Sequence, residues 1–503
     1  MIKAQAKNKP NKLTIFWRCC VGKNIYQRIS RIYFIVVLIG FGLLNIPGIS
    51  LNGSCKVCSS NGSTNENDIF SKLFISVSAF TTTGLTMNPL HCSFNTWGKI
   101  IILVLIQVGG LGLVTSWMFI KHFFLKAKKH TIEERLNLYS ERGGMSRGNS
   151  FEIVMSALKI LLSCEVIIAI LLTFFFYFVT PDLSCNNGSQ KDFWNSLWNG
   201  IFHSVSSINN AGLDILSSKS IMPYSKNWGV ILSIIFSISS IIGGIGYPVL
   251  YEFKEWCKKK RKHKSSKNIF SLFTKISILM HFLITVIAAG AVLGSEFSEN
   301  GRTLDKIKHC CLSTGEKVWQ LLYLIISARS SGFSGLDLTS LTERTQWILL
   351  ILMFIGASPS STAGGIRSIT LFLIMGKVWS TMRGRKSLSV FSKTVSSQTI
   401  ENSFLVFFLS SALVLIASLI IPNSSNGGNN LLRHEKLFEA SSAFGTSGLS
   451  LGTTTKTNWV GQVVLMVLMY IGQMGVPNVL LYYSKSRPSK QKIIYPEEKL
   501  RIA

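Results

Sequence analysis

The stretches Ser78-Ala79-Phe80-Thr81-Thr82-Thr83-Gly84-Leu85 and Ser442-Ala443-Phe444-Gly445-Thr446-Ser447-Gly448-Leu449 are close copies of one another, near opposite ends of the chain. Two shorter copies lie between them, Asn210-Ala211-Gly212-Leu213 and Ser330-Ser331-Gly332-Phe333. The shared pattern is Ser, Thr or Asn, then Ser, Thr or Ala, then Gly, then Leu or Phe. It occurs at these four places and no others, although the chain contains 40 Gly. The glycines follow one another at intervals of 128, 120 and 116 residues. Self-similarity at so regular a spacing marks a repeat architecture.

The surroundings repeat as well. Before each motif runs an apolar segment too short to span a bilayer: 69–80, 193–208, 318–328 and 437–444. Segments of this length are re-entrant or buried more often than spanning. Asp68, Asp192, Glu316 and Glu435 stand at or near the beginnings of these runs, where an acid suits a helix N-terminus. Longer apolar segments flank them, at 32–49, 98–120, 151–180, 227–250, 270–294, 346–376, 402–422 and 458–482. Each approaches or exceeds the ~20 residues of a transmembrane helix. The order span, short run, motif, span therefore occurs four times.

Charge fixes the orientation. The chain has 503 residues, 47% hydrophobic and 15% charged, with a formal net charge of +29. A typical soluble protein is about 25% charged. Of the 52 Lys and Arg, 35 fall in five segments: 1–31, 121–150, 251–275, 377–401 and 483–503. A nucleic-acid groove would gather such charge on one folded face; here it punctuates apolar spans. Eight spans put all five basic segments on one side, which the positive-inside rule makes cytoplasmic, both termini included. The expected organisation is a basic N-terminus (1–31), repeat 1 (32–120), a loop (121–150), repeat 2 (151–250), a basic loop (251–269), repeat 3 (270–376), a loop (377–401), repeat 4 (402–482) and a tail (483–503). The fold class is an all-α polytopic membrane protein of four fused helix–pore loop–helix repeats around one pseudo-fourfold ion pathway. The basic N-terminal region lacks the form of a cleavable signal. Cys55, Cys58, Cys92, Cys185, Cys310 and Cys311 fall on the outer side, where oxidation is open to them. The single CxxC, Cys55 to Cys58, is weak support for zinc.

Non-helical backbone at membrane depth must be satisfied by protein or by a water-filled cavity. Gly reaches backbone angles closed to other residues, so its neighbouring carbonyls are free to turn toward a common axis. Four such turns around an axis give rings of oxygen that replace the hydration shell of an alkali cation. Motifs of small residues and Gly also serve as helix-packing faces. Four copies at matched positions, each closing a run too short to span, favour the filter. The expected ion-binding residues are Thr82, Thr83, Gly84, Asn210, Ala211, Gly212, Ser330, Ser331, Gly332, Thr446, Ser447 and Gly448. One Gly per turn, against two in the longer TVGYG filter, predicts weaker discrimination against sodium. Asp214 and Asp337 follow their glycines closely and would concentrate cations at the mouth, or else are solvated loop acids.

Across 30–483 the chain resembles the Trk/Ktr/HKT superfamily of potassium transporters, above all its bacterial pore subunits of the KtrB and TrkH type. The likeness rests on the four motifs with their flanks, on Ile106-Gln107-Val108-Gly109-Gly110-Leu111-Gly112, and on the stretch from Met353 to Ile366. It implies that Gly84, Gly212, Gly332 and Gly448 are the filter glycines and that K+ is the transported ion. In plant members, Ser in place of the first glycine accompanies sodium preference; Gly84 favours potassium. Sodium coupling or permeation within the same fold is the alternative.

The sixth apolar segment contains Gly356-Ala357-Ser358-Pro359-Ser360-Ser361-Thr362-Ala363-Gly364-Gly365, which cannot continue a regular helix. Broken helices at mid-membrane mark binding or gating sites in transport proteins. The resemblance implies a gate loop beneath the filter, with Gly356, Ser358, Pro359, Ser360, Ser361, Thr362, Gly364 and Gly365 as gate residues. In the last span the family pattern Ile-Gly-Arg-x-Gly reads Ile471-Gly472-Gln473-Met474-Gly475, so Gln473 joins the gate set without the usual positive charge. Arg329 is expected to face away from the pathway and pair with a carboxylate, and Arg367 either to contact the gate or to sit at the cytoplasmic interface, the latter being favoured.

The glycine clusters 109–112 and 243–246 lie inside spans, without the strand-turn-helix unit of a nucleotide site. No cofactor is expected in this chain. The resemblance implies a homodimer and a cytoplasmic ring of nucleotide-binding RCK-type subunits; the basic loops suit that ring or anionic lipid. Two other classes fit poorly. A secondary transporter would show inverted repeats, and these four run in one orientation. A membrane enzyme would show clustered acids or His in its spans; Glu165 is the clearest such acid, without a partner acid in the sequence.

Overall fold

The computed structural model describes residues 25–51, 67–123, 150–179, 192–216, 221, 224, 228–262, 270–298, 313–385, 387–422 and 432–483. They build four units of one design, I to IV. Each has a long first helix, a short helix, an irregular turn and a second helix. The first helices are Ile25–Leu44, Ser150–Phe178, Leu272–Ser298 and Ser397–Ile420. The short helices are Asn67–Phe80, Phe193–Ile208, Thr314–Ala328 and Arg433–Gly445. Among the described residues, the first helices are the four long and apolar enough to cross a membrane as single helices. They expose rows of large apolar side chains, including Phe34, Leu38, Val166, Ile170, Phe282, Val286, Phe408 and Leu419. Such rows are stable facing lipid.

The short helices start where acids cap them. Asp192 accepts from the Trp194 amide at 3.1 Å, and Glu316 closes a capping box with Ser313. Glu435 accepts from the Leu432 amide at 3.1 Å. These acids satisfy free N–H groups, which is ordinary capping. The side chain of Asp68 lies outside the described residues.

The second helices depart from the expected continuous spans. Unit I divides into Thr96–Leu111 and Leu113–Phe123, and unit II into Gly229–Gly244 and Tyr247–Arg261. The two bends are 96° and 101°. Unit IV breaks between Trp459–Met474 and Val476–Tyr483, and unit III, as expected, between Glu343–Phe354 and Ser368–Met382. In three units the break is a single positive-φ glycine: Gly112 at +80°, Gly246 at +95°, Gly475 at +82°. Each ends a Gly-x-x-Gly, in 109–112, 243–246 and 472–475.

The ends of the second helices carry opposite chemistry. Trp97, Trp228, Trp347 and Trp459 stand at or near the starts, 41–69% exposed. Lys121, Lys258 to Arg261 and Arg383 stand at the far ends. Amphipathic Trp rings prefer the membrane–water interface, so the four Trp mark one face of the membrane.

Four apolar clusters hold the units together at their junctions. Ile75, Ile102 and Leu105 of unit I meet Phe202, Leu213 and Ile215 of unit II. Phe236 and Leu232 of unit II meet Tyr323 and Phe333 of unit III. Leu349 and Met353 of unit III meet Phe438, Leu449 and Leu451 of unit IV. Leu465 and Met469 of unit IV meet Phe74, Phe80 and Val37 of unit I. Unit IV thus closes on unit I.

Candidate ion pathway

Each short helix ends inside the protein and the chain turns back through its Gly motif. The four glycines have φ of +90°, +66°, +71° and +84°, in the region L-residues avoid. Space forbids a side chain as firmly. A Cβ on Gly84 would lie 2.4 Å from the Ala211 carbonyl oxygen, and one on Gly212 2.4 Å from that of Ser331. A Cβ on Gly332 would lie 2.0 Å from the Ser447 oxygen, and one on Gly448 2.4 Å from that of Thr83. Each glycine presses on the residue preceding the next unit's glycine, and the fourth presses on the first. The four turns form a closed ring.

Three turns share one geometry. The amides of Thr83, Ala211 and Ser447 donate to the carbonyls of Ser78, Ser206 and Ser442 at 2.8–3.0 Å. The residue between, Thr82, Asn210 or Thr446, is left-handed with φ of +50°, +55° or +49°. Unit III differs: Ser330 is not left-handed, and Ser331 and Gly332 both donate to Ser327 O. The ring therefore brings together all twelve residues expected of a filter, in three like turns and one variant.

Behind the ring lie buried polar networks that sequence reasoning did not assemble. Glu165 accepts from Gln107 at 3.1 and 3.2 Å and from Asn209 at 3.1 Å. Glu439, fully inside the fourth short helix, accepts from Ser450, Thr453 and Thr454 and ties down the strand that leaves the ring. Acids whose oxygens meet several local donors are positioning groups. The signal for Glu439 was an acid on a re-entrant run facing three hydroxyl residues just past the glycine. Arg329 corrects an expectation. Among the described residues its Nη1 meets His281 Nδ1 at 3.0 Å, His281 O at 3.0 Å and Thr285 Oγ1 at 3.5 Å, with no carboxylate. A guanidinium only donates, so the ring nitrogen is the acceptor. Asp337 is exposed and caps a local turn through Thr339 N at 3.0 Å, while Asp214 is half-buried.

Residues 355–367 form a compact loop directly against the ring. Its neck is closed by the pairing of Ile355 with Ile366. Ser358 N and Thr362 N donate to Gly244 O and Gly243 O at 3.1 and 3.3 Å, and Ser360 O accepts from Tyr247 N at 3.1 Å. The loop is thereby pinned to the bend of unit II. It also reaches the ring: Asn210 Nδ2 donates to Thr362 Oγ1 at 2.8 Å, and Gly364 N donates to Thr446 Oγ1 at 2.7 Å. Arg367 donates to Ala363 O and, at 3.5 Å, to Ser361 Oγ, so of the two expected roles it has the contact with the loop. Below the loop lies a cavity of about 630 Å³ lined by Gly109, Gly112, Pro359, Ser360, Arg367, Gln473 and neighbours. Gln473 Nε2 points to Gly109 O at 3.4 Å, and its Oε1 is buried without a partner among the described residues.

A closed ring of glycine turns, a loop packed against it and a cavity of mixed polar and apolar lining adjoin one another. That arrangement suits the passage of a small cation. Comparison with known proteins agrees. The family model TrkH, "Cation transport protein", matches residues 12–494. The uncharacterized cation transporter MG322 homolog of Mycoplasma pneumoniae is 31% identical over 546 residues, covering 96% of each chain. Ktr system potassium uptake protein D of Bacillus subtilis is 29% identical, covering 95% of this chain and 96% of that protein. The crystal structure of the potassium transporter TrkH from Vibrio parahaemolyticus superposes with a TM-score of 0.62 at 15% identity, over 92% of this chain and 85% of that one. On sequence and fold together, the chain belongs to the TrkH family of cation transport proteins.

Proposed function

We propose that this chain is the ion-translocating pore subunit of a potassium uptake system in the cell membrane, with the four-glycine ring as filter and 355–367 as gate. The closed cycle of glycine-to-carbonyl contacts carries this reading. A ring sized by backbone presents oxygens to a spherical ion from four sides, and the curated relative from Bacillus subtilis is a potassium uptake protein. The basic ends of the second helices face the cytoplasm, with both termini on that side. A homodimer bound by a nucleotide-binding RCK-type ring, resting on anionic lipid, is the proposed assembly. K+ is the cargo, and sodium is either a coupling ion or a second permeant.

The test is cation flux in proteoliposomes, potassium against sodium, for wild type and Gly84→Ser. A side chain at 84 must push Ala211 aside, so the ring widens and the preference for potassium is expected to fall. An unchanged preference in folded protein would refute the filter. If wild type alone passes no cation, adding the nucleotide-binding subunit should restore flux; continued silence would refute the pore.

A further inference from the structure

Unit III supplies the loop, and it is the unit whose ring residue, Ser330, is not left-handed. The other three ring residues are left-handed, two of them β-branched Thr, for which that conformation is a genuine outlier. Strained residues persist where their surroundings over-determine them. All three side chains end on the loop. Thr82 Oγ1 donates to Thr362 O at 3.4 Å, Asn210 Nδ2 to Thr362 Oγ1 at 2.8 Å, and Thr446 Oγ1 accepts from Gly364 N at 2.7 Å. Because the Asn210 amide nitrogen is held by Thr362, its oxygen is turned the other way, and that oxygen is buried without a hydrogen-bond partner.

We infer that the loop is the floor of the filter as well as its gate: Thr362 and Gly364 hold the three left-handed turns, and opening the pathway loosens the ring that discriminates between ions. The inference rests on the filter and gate reading above. Thr362 acts as a positioning residue, working through Asn210 and Thr82 rather than on the ion. Transport in the open state is accordingly less selective than binding in the closed state.

The experiment compares wild type, Thr362→Val and Thr362→Ser in proteoliposomes, reading potassium flux and the potassium-to-sodium flux ratio separately. Thr362→Val keeps the shape and removes the hydroxyl. Flux is expected to rise and the ratio to fall several-fold, with Thr362→Ser, which keeps the hydroxyl, shifting it less. Raised flux at an unchanged ratio would overturn the coupling and leave the gate standing. No change in either quantity would overturn it too. A shortened loop that fails to raise flux would instead strike the gate reading itself. If Thr362→Val does not fold, potassium-against-sodium stabilisation of Thr362→Ala in detergent decides, since it also lacks the hydroxyl: the difference between ions narrows if the latch sets the ring, and equals wild type if it does not.

Discussion

The ring and the layer of bends just beneath it are built from the same four units, yet they treat repetition differently. In the ring every unit contributes a positive-φ glycine on which an added Cβ would lie 2.0 to 2.4 Å from a carbonyl oxygen of the neighbouring unit. One layer lower, three units spend a single glycine on their bend and the fourth spends residues 355–367. The requirement differs in kind. On the proposed reading, surrounding a spherical ion takes oxygens from all four sides, and the glycine contacts close the ring even where the turn of unit III differs. Obstructing an axis takes one body, and a second would collide with it.

The largest expected effect attacks the symmetric layer. Gly332→Ala puts a methyl group 2.0 Å from the Ser447 oxygen on backbone already at φ +71°. Potassium flux should vanish while the protein still elutes as a folded species; retained selective flux would break the comparison. Next comes the asymmetric layer: deleting residues 358–363 should raise flux several-fold, and a folded variant with lower flux would show the loop to be a strut only. Gln473→Arg restores a charge to the cavity wall, where insertion scales set a cost of about 2.5 to 3.5 kcal/mol at mid-membrane. Conductance should drop, and equal or higher conductance would mean the cavity is not on the path. The smallest effect belongs to the single-glycine bends. Gly475 has room for a Cβ, the nearest atom being Pro477 Cδ at 3.8 Å. Gly475→Ala should therefore meet only the conformational penalty of its φ +82°, ψ +136° backbone, about 1–3 kcal/mol, visible as a lower unfolding temperature with near-normal flux.

The ring was legible because its chemistry is local: a glycine and small polar residues, recurring where no apolar helix needs them. The break at 355–367 was legible for the same reason, since Pro359 and its polar neighbours interrupt an apolar run. The bends at Gly112, Gly246 and Gly475 escaped because glycines inside an apolar run also read as a close-packing face of a continuous helix. Only the recurrence of Gly-x-x-Gly in three second helices hinted at them. The left-handed Thr82 and Thr446 run against the preference of their residue type, and the force holding them comes from a loop far along the chain. Arg329 escaped for a simpler reason: a ring nitrogen and a carbonyl serve a guanidinium as acceptors, and no pattern of acids announces them.

The contact of Gly448 with Thr83 O has a consequence for how the molecule is made. Neighbouring support is equally remote: Tyr470 donates to Ser30 O at 2.6 Å across 440 residues, and Gln473 reaches Gly109 across 364. At roughly 5–20 residues per second, a ribosome needs on the order of 20 to 70 s to span such a separation. Through that interval the first three units sit in the bilayer as an open arc. Loop 355–367 belongs to unit III and is therefore synthesised before unit IV, so the ring closes onto a loop that is already made.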